Sequence, residues 1–156
     1  MLSPETVTIL KALEKLETGL SRIYNHLAEK GHFSGPAKKF WSTIRDEEIL
    51  HAKAFREILE KGQAEQTFDL AIQFDMGTLH DFVEKVKALL DRVKKEDVTE
   101  SEAYSLAALI EAELNEASFM EGIKTTDPMV NQKIKRIAND TKRHRVILVN
   151  YSRGIK

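Results

Sequence analysis

The strongest constraint on this chain is an apolar spacing of three and four residues that recurs in four long stretches, each opened by residues that start helices. In the first, Ser3-Pro4-Glu5 precedes Val7, Leu10, Leu13, Leu16, Leu20, Ile23 and Leu27. Ser3 suits the N-cap and Pro4 the first turn, where a missing N–H leaves no bond unmade. Glu5 suits the positive end of the helix dipole. Ser34-Gly35-Pro36 opens a second stretch by the same grammar, with Phe40, Ile44, Ile49, Ala52, Phe55 and Leu59 on its apolar side. Thr99-Glu100-Ser101-Glu102 is a capping box ahead of Leu106, Leu109, Ile110, Leu114 and Ala117. Asp127-Pro128 opens the fourth, through Val130, Ile134, Ile137, Ala138, Val146, Ile147 and Tyr151. Gly31, Gly62 and Gly154 are read as stops, and the third helix is expected to run to about Lys124.

Residues 63–98 differ in texture. Phe68, Leu70, Ile72 and Phe74 alternate as in a strand, but no second strand is evident to pair with them, so a short helix or an extended cover is expected. Leu79, Phe82, Val83, Val86, Leu89, Leu90 and Val93 then mark a helix from about Thr78 to Lys95. The reading is an all-α single domain over residues 1–156, a four-helix bundle of two antiparallel hairpins. The long crossover between them carries an extra helix, which is the ferritin-like connectivity. Trp41, beside Phe40, is expected at a core edge or subunit contact.

Composition narrows the chemistry. Without cysteine there are no disulfides, thiolate metal sites or cysteine nucleophiles, so any metal must use Glu, Asp and His. With 24 basic and 25 acidic residues there is no basic field for nucleic acid. No apolar run approaches the roughly 18 residues of a membrane span, so no membrane partner is expected. The basic-then-apolar order of a signal peptide is missing from Met1 to Leu10, and a cytoplasmic location is expected.

Glu48-Ile49-Leu50-His51 places a carboxylate and an imidazole about 60° apart on one helix face, a donor pair suited to iron, manganese or zinc. An internal repeat lifts this pair above chance. Ile44…Glu48…His51 lies over Ile137…Thr141…His144 at an offset of 93. Ala12-Leu13-Glu14-Lys15-Leu16-Glu17 is laid over Ala108-Leu109-Ile110-Glu111-Ala112-Glu113 at an offset of 96. Two hairpins then bring Glu17, Glu113, Glu48, His51 and His144 inward. A complete site of this architecture takes a Glu from each of two helices and a Glu-x-x-His from each of the other two. Thr141 stands where the sixth ligand belongs.

The segments Leu16-Glu17-Thr18-Gly19-Leu20-Ser21-Arg22-Ile23-Tyr24 and Asp46-Glu47-Glu48-Ile49-Leu50-His51-Ala52, with the Asp127-Pro128 helix start, resemble the rubrerythrin branch of the ferritin-like superfamily. The resemblance implies a di-iron carboxylate site that reacts with peroxide or dioxygen. It makes Glu17 and Glu113 terminal carboxylates, Glu48 the bridge, and His51 and His144 ligands of one metal each. Glu116 is a further candidate ligand that would partly compensate for Thr141. Tyr24, close to the Glu17 face, is the candidate catalytic residue, and Met120 is taken as its repeat mate. The family's iron–sulfur tail has no cysteine to hold it here, so electrons would come from an external donor.

The expected function is therefore non-haem metal binding of rubrerythrin type, a peroxidase or ferroxidase-type oxidoreductase handling peroxide, dioxygen or iron. Iron is the expected metal, with a weakly held second ion, and zinc or manganese as substitutes. The alternative is a degenerate, metal-poor bundle with a structural or partner-binding role. Iron storage in a cage is a narrower option, and a homodimer is the expected assembly.

Overall fold

The computed structural model describes residues 1–114 and 116–154, with the side chains of Glu116 and Ala117 outside the description. The architecture is an all-α bundle. Its long helices are α1 (Pro4–Ala28), α2 (Gly35–Ala64), α3 (Met76–Lys95), α4 (Glu100–Leu114) and α6 (Pro128–Ser152), with a short α5 (Glu116–Glu121). The start signals act as their chemistry dictates. Ser3 Oγ accepts from Thr6 N at 3.1 Å, and Asp127 Oδ1 accepts from Met129 N and Val130 N at 2.9 and 3.0 Å. Thr99 and Glu102 close their capping box reciprocally, at 3.2 and 2.8 Å.

α1 packs along α2, α4 and α5 along α6, and α2 meets α6, while α3 lies against α1. The core is a ladder of α1 residues (Leu10, Leu13, Leu16, Leu20, Leu27) facing Ile44, Phe55 and Ile58 of α2 and Ile134, Ile137 and Leu148 of α6, all buried. Each fully buried leucine contributes about 1.5–3 kcal/mol. Against that background, charged groups on the inner faces need a specific physical account.

Two glycines mark close approaches. A Cβ on Gly19 would lie 2.6 Å from Val86 Cγ1, so α3 docks on α1 only because Gly19 has no side chain. Gly62 does not terminate α2 as its composition suggested. The helix continues to Ala64, and Gly62 lies inside it against Leu2 and Phe68, where a Cβ would approach to 2.5 and 2.9 Å.

The crossover also departs from expectation. Ala71–Ile72 (β1) does find a partner, pairing antiparallel with Ile123–Lys124 (β2), with Ala71 opposite Lys124 and Ile72 opposite Ile123. Helical structure on this stretch, α4 and α5, reaches Glu121 and gives way to β2 at Ile123 instead of running to Lys124. The partner strand was illegible because it is two residues long and follows a helical pattern directly. Ile49, Leu109 and Val146, expected on buried faces, are exposed (50, 58 and 60 %), whereas Trp41 is fully buried. No helix among the described residues is long and apolar enough to cross a membrane.

Candidate metal centre

Four helices each direct acidic or imidazole side chains to one level of the bundle interior. Glu17 comes from α1, Glu48 and His51 from α2, Glu111 from α4 and His144 from α6, and none is more than 2 % exposed. Glu48 lies at the middle. Its Oε2 is 3.1 Å from His51 Nδ1 and its Oε1 is 3.0 Å from His144 Nδ1. Glu17 Oε2 is 3.8 Å from His51 Nδ1. The imidazole rings lie 6.1 Å apart, inclined by 27°. Two groups of three result, Glu17–Glu48–His51 and Glu48–Glu111–His144. Within each, one donor atom per residue lies within 4.8 Å of the others. Glu48 belongs to both.

The sequence expectation is corrected at α4. Glu113 does not face inward: its side chain is 41 % exposed and its carboxylate pairs with Lys85 Nζ at 3.3 Å. Glu111 takes the inner position. Two residues along a helix are about 200°, so the two glutamates occupy nearly opposite faces. Leu109 misled the assignment. It shares the outer face with Glu113, whereas Ala103, Ala107, Ile110, Glu111 and Leu114 form the buried stripe. The signal that finds Glu111 is the repeat itself. The step from Glu17 to Glu111 is 94, one residue from the step of 93 between Glu48 and Thr141, and Leu13, Leu16 and Leu20 then fall on Ala107, Ile110 and Leu114. In that register the mate of Tyr24 is Ser118 and not Met120. Glu116, the other candidate on this segment, has a side chain outside the described residues.

Around the inner groups is a set of partners that the sequence reading did not assign. His51 Nε2–H donates to Asp140 Oδ2 of α6 at 3.1 Å, and His144 Nε2–H donates to Glu47 of α2. Glu47 and Asp140 are themselves repeat mates at the offset of 93, so each hairpin's outer carboxylate crosses to the other's histidine. Arg143 Nη2 ties them, donating to Glu47 Oε1 and Asp140 Oδ1 at 3.0 Å each. With the Nε2 proton held by an outer carboxylate, Nδ1 of each ring is directed to the interior, where a cation would take the place of its proton. Tyr24, fully buried, donates its hydroxyl proton to Glu111 Oε1 at 2.6 Å. Thr141 is buried on the inner face of α6.

The electrostatics follow from burying five ionisable groups together. Burial opposes the charged form of Glu48, but bonds from His144 and His51 more than offset it and hold the carboxyl well below its ordinary value. Burial alone would depress His51, and its bonds to Glu17 and Glu48 instead push it up to about 12. His144 is likewise raised to about 9, against burial, by Glu48, Glu111 and Glu47. Glu111 is raised to about 7 by burial and the Glu48 charge. Without a cation the cluster therefore neutralises itself with protons. A metal ion would replace those protons, and the mixed carboxylate and imidazole donors fit a first-row divalent ion. A cleft of about 210 Å³ lined by Leu50, His51, Lys53, Lys133 and Arg136 opens beside His51.

No family model, curated protein or solved structure matches the chain. The functional reading rests on the residues.

Proposed function

We propose that this protein is a ferritin-like, rubrerythrin-type bundle that binds two metal ions, iron first, and handles peroxide or dioxygen with electrons from a separate donor. The observation that carries the reading is the pair of three-residue donor groups sharing Glu48. A shared carboxylate between two imidazole-bearing groups is the arrangement a dinuclear centre needs, and two positions with few protein ligands leave room for an oxygen species. Bound iron would supply the redox chemistry. The protein's part is to hold the ions with Glu17, Glu48, His51, Glu111 and His144 and to orient the rings through Glu47 and Asp140. Thr141 in place of a second bridging carboxylate makes the second ion the weaker one. Metal analysis of protein purified from iron-replete cells, followed by anaerobic ferrous titration, tests this. Two binding steps of unequal affinity are expected, and no bound metal in either experiment overturns the reading.

A second reading has its own support. The histidines and glutamates already satisfy one another as ion pairs, so the bundle is chemically self-sufficient without metal, as a degenerate structural relative would be. Thr141→Glu separates the two. A metal centre gains affinity for its second ion, whereas a closed, proton-neutralised core gains none.

A further inference from the structure

A continuous stack of aromatic rings runs from the centre toward the surface. Tyr24 stacks on Trp41 with centroids 5.6 Å apart and planes inclined by 22°. Trp41 stacks on Tyr104 at 5.0 Å and 23°, and Tyr104 on Tyr151 at 4.9 Å and 27°. Phe40 sits edge-on to Trp41 and Tyr104, at 5.0 and 5.3 Å, and tilted against Tyr151 at 4.8 Å. Tyr24 and Trp41 are fully buried, Tyr104 nearly so, and Tyr151 partly open to solvent. α1, α2, α4 and α6 each contribute a ring, so the stack exists only in the assembled bundle.

Two features exceed what packing requires. The first is the Tyr24 hydroxyl, which is bonded to a centre carboxylate and ties the stack to the ionisable cluster. The second is Trp41 Nε1, which is buried with no hydrogen-bond acceptor among the described residues. Buried indole N–H groups ordinarily find one, and leaving one unmade carries the desolvation cost of the group. A phenylalanine would fill space there without that cost. An unsatisfied group retained in a core calls for a specific role, and redox chemistry is one such role. Tyrosine and tryptophan are the side chains most readily oxidised by one electron. An indole that loses an electron with no base beside it keeps its proton, so the charge moves on without waiting for proton transfer.

We propose that Tyr24, Trp41 and Tyr151, bridged by the rings of Tyr104 and Phe40, form a relay that carries single electrons between the buried carboxylate–histidine centre and the surface at the end of α6. The proposal rests on the redox reading of that centre. Tyr24 loses one electron to a one-electron oxidant derived from peroxide or dioxygen, and its phenolic proton passes to Glu111 Oε1. Trp41 then gives one electron to the Tyr24 phenoxyl, which takes its proton back from Glu111. Tyr151 refills Trp41, releasing its own proton to water, and an external one-electron reductant with a proton from water restores Tyr151. The sum is one electron from reductant to oxidant, with no change in the relay. Tyr104 acts as a bridge rather than a resting place: burial and the nearby Glu100 charge raise its hydroxyl to about 12, so its proton is firmly held.

The relay can be tested on the metal-free protein. A flash of light on ruthenium tris-bipyridine with persulfate oxidises the surface by one electron, and freeze-quenched electron paramagnetic resonance locates the radical. In the unaltered chain a tyrosyl radical is expected at Tyr24, identified by its loss in Tyr24→Phe. Trp41→Phe and the conservative, partly exposed Tyr151→Phe should each lower that signal by an order of magnitude, with helix content unchanged by circular dichroism. An equal Tyr24 signal in Tyr151→Phe, or no Tyr24 radical in the unaltered chain, overturns the proposal. Because no metal is present, failure of the metal reading leaves this result intact, and failure of the relay leaves the metal titration intact.

Discussion

The two halves of the bundle follow one plan and carry it out unequally. In the first half, α1 and α2 supply Glu17, Glu48 and His51. In the second, α4 supplies Glu111 and α6 supplies His144, with Thr141 in place of a carboxylate. The outer ring is the more symmetric part, because Glu47 and Asp140 make the same crossed bond to the opposite histidine. Among the described residues the asymmetry lies in the inner carboxylates. Among the described residues the first half brings together three donors of its own, whereas Glu111 and His144 of the second are grouped with Glu48.

The comparison breaks most severely at that shared residue. Glu48→Gln strips the counter-charge from two buried imidazoles at once. Removing one partner of a buried pair costs about 3–5 kcal/mol, so urea unfolding should show a loss of that order. Metal content should fall for both groups together, and loss at only one would show that the halves do not share Glu48.

Thr141→Glu should sharpen the symmetry instead. It adds a buried carboxylate, so the melting temperature of the metal-free protein should fall. Saturating ferrous or zinc ion should more than restore it, since a ligand that binds only the folded state stabilises by mass action. Calorimetric melts with and without metal read both signs.

A pH series tests the proton-neutralised state of the metal-free protein. A histidine whose folded pKa is raised stabilises fully below its unfolded value of about 6.5. That contribution is lost as pH rises through the folded value, about 9 for His144 and about 12 for His51. Glu111, raised to about 7, acts in the same direction between its ordinary 4.5 and that value. Glu48 has the opposite sign: its depressed pKa stabilises above 4.5, and that is lost on acidification. Chemical denaturation should therefore show metal-free stability falling from pH 6 to 9. Bound metal, which displaces the same protons, should reverse that slope.

The smallest effect is expected at the residue the sequence favoured. Glu113 is in an exposed pair with Lys85, and such pairs contribute about 0–1 kcal/mol. Glu113→Gln should leave metal affinity unchanged, while Glu111→Gln should weaken the Glu48–Glu111–His144 group. Parallel titrations of the two variants decide which glutamate the second half uses.

What was legible follows from what lies along the chain. The helix starts are local chemistry and could be read directly: Ser3, Ser34, Thr99 and Asp127 cap as expected. The inward face of Glu48 and His51 was likewise fixed by a three-residue spacing and a repeat mate. Glu113 is the expected inner glutamate and Glu111 the observed one because α4 is apolar on more than one face, so its periodicity does not choose between glutamates two residues apart. The β1–β2 clip was missed because a two-residue strand carries no period.

By itself the sequence determined an all-α chain of paired helices, free of thiol chemistry, with a Glu-x-x-His whose repeat mate keeps only the histidine. Only the tertiary structure decided that Glu111 completes the inner set and that Glu47 and Asp140 exchange histidines across the bundle. It also decided that four aromatic residues from four helices stack in line. The physical reason is the same in each case. Spacing along one helix defines its faces, but which face is inner, and which residues meet at one level, depends on the rotation and register of helices far apart in the chain.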